Sequence, residues 1–159
     1  MVADVSKFYL PFVNAVTEVF SGSGVDGFER KDLNMSGVFA MSYDVNVIVS
    51  FMGDIQGNIG ISMPSETAAN IVAAFLKKDS NSFTLNISGK KSINQLAGDI
   101  AKKVIAKLAL EGKDLEASPP MLVAGENLTV IIRRVHTLSL SLETSAGPVQ
   151  INVCLESVQ

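Results

Sequence analysis

The segment Ser92–Leu108 constrains the fold most strongly, because its sequence can form a helix with a single apolar face. Its apolar residues recur at the spacing of an α-helix, which has about 3.6 residues per turn: Ile93, Leu96, Ala97, Ile100, Val104 and Leu108. Such a helix is stable when its apolar stripe packs against another layer of structure. The rest of the chain must therefore supply that layer.

Alternating apolar and polar residues predict that the layer is a β-sheet. Val45–Phe51, Thr137–Glu143 and Val149–Leu155 alternate with a period of two, which is typical of strands with one buried face. Val38–Tyr43 and Gly57–Met63 are two further strand candidates. The short segment TSAGP between the last two alternating stretches predicts a hairpin connection.

Two more helices complete the predicted set of elements. The first covers about Asp4–Phe20, where Pro11 is an irregularity that can kink it. Ser65 is the predicted N-cap of the second helix. The long helix described above is predicted to run from about Lys91 to Glu111 and to stop at Gly112.

The order of these elements predicts the fold class. A polar loop is expected from Ser21 to about Asn34, between the first helix and the first strand. The chain then reads as strands, two helices and strands again. This order predicts one α+β domain over residues 1–159, with the helices on one face of a largely antiparallel sheet.

The charge and hydropathy of the chain restrict its partners and its location. A formal net charge of −3 argues against a nucleic-acid partner, which would need a basic surface. The apolar runs are too short to span a membrane. The first residues, MVADVSKFYL, lack the basic region of a signal peptide, so a cytoplasmic location is expected.

The common catalytic and metal-binding motifs are absent from the sequence. There is no Cys-x-x-Cys pair, no His-Glu-x-x-His and no P-loop, so neither a metal site nor an intrinsic cofactor is expected. His136, the single histidine, is interpreted as a residue at the start of a strand or on the surface. Cys154 lies in an alternating strand and is interpreted as a small buried residue.

The long helix carries an unusual polar face opposite its apolar stripe. This face contains Lys91, Gln95, Gly98, Asp99 and Lys102. Glycine in a helix interior costs about 1 kcal/mol relative to alanine, so its presence there needs a reason. The simplest interpretation of the face is a solvated helix surface.

Several motifs in a fixed order resemble the CheX branch of the CheC/CheX/FliY phosphatases of bacterial chemotaxis. The matching strings are GNIGIS, PSETAANIVAAFL and SINQLAGDIAKKVIAKLALEGKDLEASPPMLVAGENL. In that family a strand leads into a Ser-Glu-Thr-Ala helix start, and a long helix with the pattern Glu-x-x-Asn follows. A Gly-Lys, a Pro-Pro and a Gly-x-x-Leu come next. The resemblance covers nearly the whole chain.

The resemblance implies a reaction and partners. The family hydrolyses the aspartyl phosphate of a CheY-type receiver domain. Its Glu pairs with a receiver lysine and its Asn positions the attacking water. CheX-type members also dimerise through their sheets, so we expect a homodimer. The alternating segments Thr137–Glu143 and Val149–Leu155 are expected to offer free edges for this contact.

Aligned through LEGKDLEASPP, the family Glu falls on Gln95 and the family Asn falls on Gly98. The resemblance therefore implies a receiver-binding domain with weakened or lost phosphatase activity. Its predicted partner-binding residues are those of the polar helix face: Lys91, Gln95, Gly98, Asp99 and Lys102. In the alternative, the domain is an active phosphatase in which Gln95 orients the water and Asp99 pairs with the receiver lysine. A structural role unrelated to receivers also stays open.

Overall fold

A computed structural model describes residues 6–77, 87–133 and 135–157. A 3₁₀ turn, Ser6–Phe8, precedes the first helix. The described helices are α1 (Tyr9–Gly22), α2 (Ser65–Leu76) and α3 (Ile87–Leu110). The described strands are β1 (Glu29–Ser36), β2 (Phe39–Met41), β3 (Val45–Gly53), β4 (Ile55–Met63), β5 (Leu115–Ala117), β6 (Met121–Ala124), β7 (Val130–Arg133), β8 (Thr137–Thr144) and β9 (Gly147–Ser157).

The main sheet is antiparallel throughout its described strands. Its strand order is β1-β8-β9-β4-β3-β5, and β6 pairs with β3 along the same edge as β5. Strands β2 and β7 form a separate two-stranded sheet. These pairings confirm the predicted largely antiparallel sheet.

The three helices pack on one face of the main sheet, as predicted. The apolar stripe of α3 is buried there: Ile93, Leu96, Ile100, Val104 and Leu108 are at most 2% exposed. It packs with alternate residues of the central strands, such as Val47 and Ile61, in one continuous core. The α+β fold class is therefore confirmed.

The opposite face of the sheet, called the far face, is also partly covered. Phe39 and Met41 of β2 form a second apolar cluster there with Ile48 and Cys154. Ile48 is 4% exposed, so the centre of β3 is buried on both faces. Cys154 is a buried free cysteine, as predicted.

The predicted polar loop is wrong in its second half, because residues 29–36 form strand β1. Its sequence, ERKDLNMS, has no buried residue because β1 is the last strand of the sheet and is open to solvent. A bulge between Arg30 and Asp32 interrupts its pairing with β8. Charged side chains and bulges are typical of edge strands, where they prevent unwanted pairing.

The predicted free edges are also wrong. Strand β8 lies between β1 and β9, and β9 lies between β8 and β4. The alternating segments therefore pair within the sheet on both sides. On this side of the sheet, the free edge among the described residues belongs to β1.

The starts of the helices differ from their predicted positions. Residues 4 and 5 of the first predicted helix lie outside the described residues, and α1 begins at Tyr9. Pro11 lies in the first turn of α1, where the amide it lacks would have no helical partner, so a kink is not required. Ser65 is the first helical residue rather than the N-cap. Pro64 holds the N-cap position with φ −61° and ψ 155°.

Helix α3 is longer than predicted at its start, which lies at Ile87 rather than Lys91. Its end agrees with the prediction of a glycine stop. Gly112 has a φ of +77°. The amide of Lys113 donates to the carbonyl of Leu108 at 2.9 Å, which is the closing bond of a glycine C-cap. His136 is exposed and lies just before β8.

Candidate functional site

The candidate site lies on helix α3. One side of this helix is the buried apolar stripe, and the other side is polar. Lys91, Gln95 and Lys102 are exposed, whereas Gly98 and Asp99 are half-buried. Apart from the adjacent pair Gly98 and Asp99, consecutive positions are three or four residues apart, so they lie on adjoining turns of one face. The structure therefore places the five predicted residues on one face, the polar face of α3.

Packing does not explain the glycine at position 98. A Cβ built on Gly98 meets no atom within 4 Å, apart from its chain neighbours and the nearby helix backbone. Gly98 also has no positive φ that would favour glycine. The residue therefore leaves an open space in the polar face, here called the Gly98 gap. A side chain at this position would fit without a clash.

A groove runs between α1 and α3 beside the Gly98 gap. Its volume is about 470 Å³, and its lining residues come mainly from α3: Val19, Asp99, Lys102, Lys103, Ala106, Lys107 and Leu110. Two predicted site residues, Asp99 and Lys102, thus line the same groove. Leu110 is 89% exposed, so the end of the groove is apolar and open to solvent.

Glu18 of α1 forms ion pairs with two of the groove lysines. Its Oε1 lies 2.9 Å from Nζ of Lys107, and its Oε2 lies 3.9 Å from Nζ of Lys103. Asp99 and Lys102 take part in no salt bridge among the described residues. Glu18, Lys103 and Lys107 were not among the site residues predicted from the sequence. The i, i+4 spacing of the two lysines was a local signal, but Glu18 joins them only through the packing of α1 on α3.

The charge of α3 is opposite in sign to that of the whole chain. Within Ile87–Leu110 there are five lysines and one aspartate, whereas the chain has a net charge of −3. Three of these lysines line the groove. The site is therefore a locally basic surface on an acidic protein, which favours anionic ligands.

A second groove, of about 510 Å³, lies where the β3–β4 turn meets the connection from α3 to β5. Its lining residues are Met52, Gly53, Asp54, Asp114, Leu115 and Glu116. Oδ2 of Asp54 accepts a hydrogen bond from the amide of Asp114 at 2.8 Å, and the amide of Asp54 donates to the carbonyl of Asp114 at 2.9 Å. These bonds tie the two connections together, so Asp54 has a structural role there.

Neither a metal-binding cluster nor a membrane-spanning helix occurs in the part of the chain that the structure describes. No group of three or more His, Cys, Asp or Glu side chains within residues 6–77, 87–133 and 135–157 could hold a metal ion. None of the described helices is long and apolar enough to cross a membrane.

Comparison with known proteins identifies relatives of this fold. The family model for the chemotaxis phosphatase CheX matches residues 45–141, which include most of the sheet and all of α2 and α3. No curated protein matches the sequence. Solved structures match over nearly the whole chain.

Three of these solved structures are CheX proteins or contain one. CheX from Desulfovibrio desulfuricans is 21% identical with a TM-score of 0.81, over 94% of this chain and 99% of that chain. CheX from Vibrio vulnificus is 18% identical with a TM-score of 0.82, over 95% and 100%. A CheX–CheY–BeF₃–Mg²⁺ complex from Borrelia burgdorferi matches at 20% identity and a TM-score of 0.75, over 94% and 98%.

Proposed function

The chain belongs to the CheX family of chemotaxis phosphatases, and we propose that it binds a CheY-type receiver domain through the polar face of α3 while hydrolysing its aspartyl phosphate weakly or not at all. The observation that carries the proposal is the Gly98 gap, because the family Asn that positions water aligns with a residue that has no side chain. A cytoplasmic location is part of the same proposal.

The partner is inferred from a relative and from the surface of α3. The Borrelia burgdorferi protein of this fold was solved in complex with CheY, beryllium fluoride and Mg²⁺. In this chain the polar face of α3 is accessible at Lys91, Gln95 and Lys102. These two observations support a receiver domain as the partner.

The weak activity is inferred from chemistry. Hydrolysis of an aspartyl phosphate depends mainly on positioning a water in line with the phosphorus and on stabilising the developing charge. Gln95 keeps the length and hydrogen-bonding capacity of a glutamate but lacks its charge. Gly98 cannot hold a water through a side chain. The loss of one such group typically costs on the order of 10²–10³ in rate.

One observation favours the alternative of an active phosphatase. Gln95 and Asp99 are four residues apart on the polar face, and the carboxylate of Asp99 takes part in no salt bridge among the described residues. In this alternative Gln95 orients the water and Asp99 pairs with the receiver lysine.

We expect Gln95→Arg to weaken receiver binding by tenfold or more, because a bulky cation would occupy the centre of the proposed interface. Titration calorimetry with a CheY-type receiver measures the effect. Gln56→Arg is the matched control. Gln56 is also exposed, but it shares a face of β4 with Asn58, which pairs with Cys154 on the far face of the sheet. Equal weakening by the two variants, or none by either, would contradict docking on α3.

We also propose that the protein forms a homodimer through the free edge of β1. Leu33 and Met35 are 46% and 56% exposed on this strand, although both are large apolar residues. They share one face, since they pair with Leu140 and Leu138 of β8. The bulge and the charged residues block the first half of β1, so Leu33–Ser36 is the half that suits pairing with a second copy.

Met35→Asp is expected to convert the dimer to a monomer, because it places a charge in an apolar contact. Light scattering at tens of micromolar protein measures the change in mass. Met52→Asp is the control, since Met52 is 62% exposed on β3 and is not part of β1. A wild-type protein that is strictly monomeric at this concentration would rule out the dimer.

A further inference from the structure

We propose that Lys102 binds the phosphoryl group of an aspartyl phosphate, so that α3 recognises the phosphorylated form of its partner in preference to the unphosphorylated form. This inference rests on the proposed function, because the receiver domain carries the phosphoryl group. It adds a residue, Lys102, that the family pattern of Glu-x-x-Asn does not contain. The step is binding only, with no bond made or broken.

Lys102 lies one helical turn after the Gly98 gap on the polar face of α3. Lys102 follows Gly98 by four residues, so it lies on the next turn of the same face. Side chains on an α-helix lean toward its N-terminus and cover the preceding turn. A lysine stem with this lean can reach over the turn of Gly98. Because a Cβ at Gly98 would meet nothing within 4 Å, a phosphoryl oxygen can approach the helix closely there.

The ammonium group of Lys102 is available to a ligand. Lys103 and Lys107 share the carboxylate of Glu18, whereas Lys102 is exposed and in no salt bridge among the described residues. Lys91, on the other side of the Gly98 gap, is also exposed and adds to the positive field. Gln95 between them is neutral and can donate a hydrogen bond from its amide.

The charge balance explains the preference for a phosphorylated partner. A phosphoryl group carries between about −1.5 and −2 charges near neutral pH, together with strong acceptor oxygens. The basic surface of α3 gains attraction when that charge appears on the receiver. Asp99 weakens this attraction, because its negative charge lies in the groove beside Lys102. Asp99→Asn should therefore increase the preference.

The test measures binding of a fluorescently labelled CheY-type receiver with and without beryllium fluoride and Mg²⁺, which together mimic the phosphoryl group. The wild-type protein is expected to bind the beryllium fluoride form roughly tenfold more tightly, as one charge-assisted hydrogen bond allows. Lys102→Gln should remove most of this difference. Lys90→Gln is the matched control, because Lys90 is an exposed lysine of the same helix on a different face.

The possible outcomes separate this inference from the proposed function. Equal binding of both receiver forms by the wild-type protein, or a preference that survives in Lys102→Gln, overturns the role of Lys102 and leaves receiver binding intact. An equal loss of this preference in Lys102→Gln and Lys90→Gln also overturns it. Such a result would show that the overall positive charge of α3, and not Lys102, causes the preference. Failure of both receiver forms to bind overturns the proposed function and this inference together.

Discussion

Ile100→Asp is expected to unfold the protein or to drive it into aggregates. Ile100 is 1% exposed in the centre of the α3 stripe, where the helix meets the sheet. An uncompensated buried charge typically costs about 3–5 kcal/mol. The total stability of a domain is about 5–15 kcal/mol. The substitution therefore removes a large part of the stability.

Thermal unfolding followed by circular dichroism measures this effect. Gln95→Asp is the control, because it places the same residue on the exposed side of the same helix, and it should melt close to the parent. Ile100→Val keeps the site apolar and should lower the free energy of unfolding by only about 0.5–1.5 kcal/mol. An Ile100→Asp variant with the melting temperature of the parent would show that the α3 stripe does not face the core.

Gln95→Glu combined with Gly98→Asn is expected to raise the rate of receiver dephosphorylation. Each restored group should raise the dephosphorylation rate by a factor on the order of 10²–10³ if the wild-type protein lacks both. The open Gly98 gap accepts the new side chain without a clash. Asparagine is also a slightly better helix former than glycine, so the fold should be retained. Phosphate release from a phosphorylated receiver measures the rate.

The control for this double variant is Gly98→Ala, which strengthens the helix without adding an amide and should leave the rate unchanged. The alternative function gives a different pattern. If the wild-type protein is already as fast as the double variant and Asp99→Ala abolishes its activity, then Gln95 and Asp99 are the working pair. In that case the weak-activity proposal is wrong.

The sequence predicted the elements whose burial follows a simple period. Ile93, Leu96 and Ile100 repeat at helical spacing, and they are buried against the sheet as the period required. The stop at Gly112 was also readable, because a glycine C-cap is a local signal. The Ser65 N-cap was wrong by one residue, since the helix begins directly after the extended Pro64.

The sequence could not reveal features that depend on contacts between distant segments. Strand β1 is polar because nothing covers it, and a polar segment of this kind resembles a loop in one dimension. Ile48 lies at a position that alternation assigns to solvent, but β2 and β7 cover it. The free edge was misplaced because alternation identifies strands but not their order.

The candidate site was predictable only in the part that depends on the spacing of residues along one helix. Helical phase placed Gln95 and Lys102 on one polar face, and the exposure of both agrees with that phase. The groove was not predictable, because Val19 and Glu18 reach it only through the packing of α1 on α3. The functional roles of the five residues on the polar face remain predictions.

The central claim is that this protein binds a phosphorylated receiver without hydrolysing it efficiently. It is tested most directly by measuring complex formation and phosphate release in one experiment, with a phosphorylated CheY-type receiver and saturating wild-type protein. We predict that the complex forms and that the receiver loses its phosphate at nearly its unassisted rate. Rapid phosphate release by the wild-type protein, or the absence of a complex, would contradict the claim.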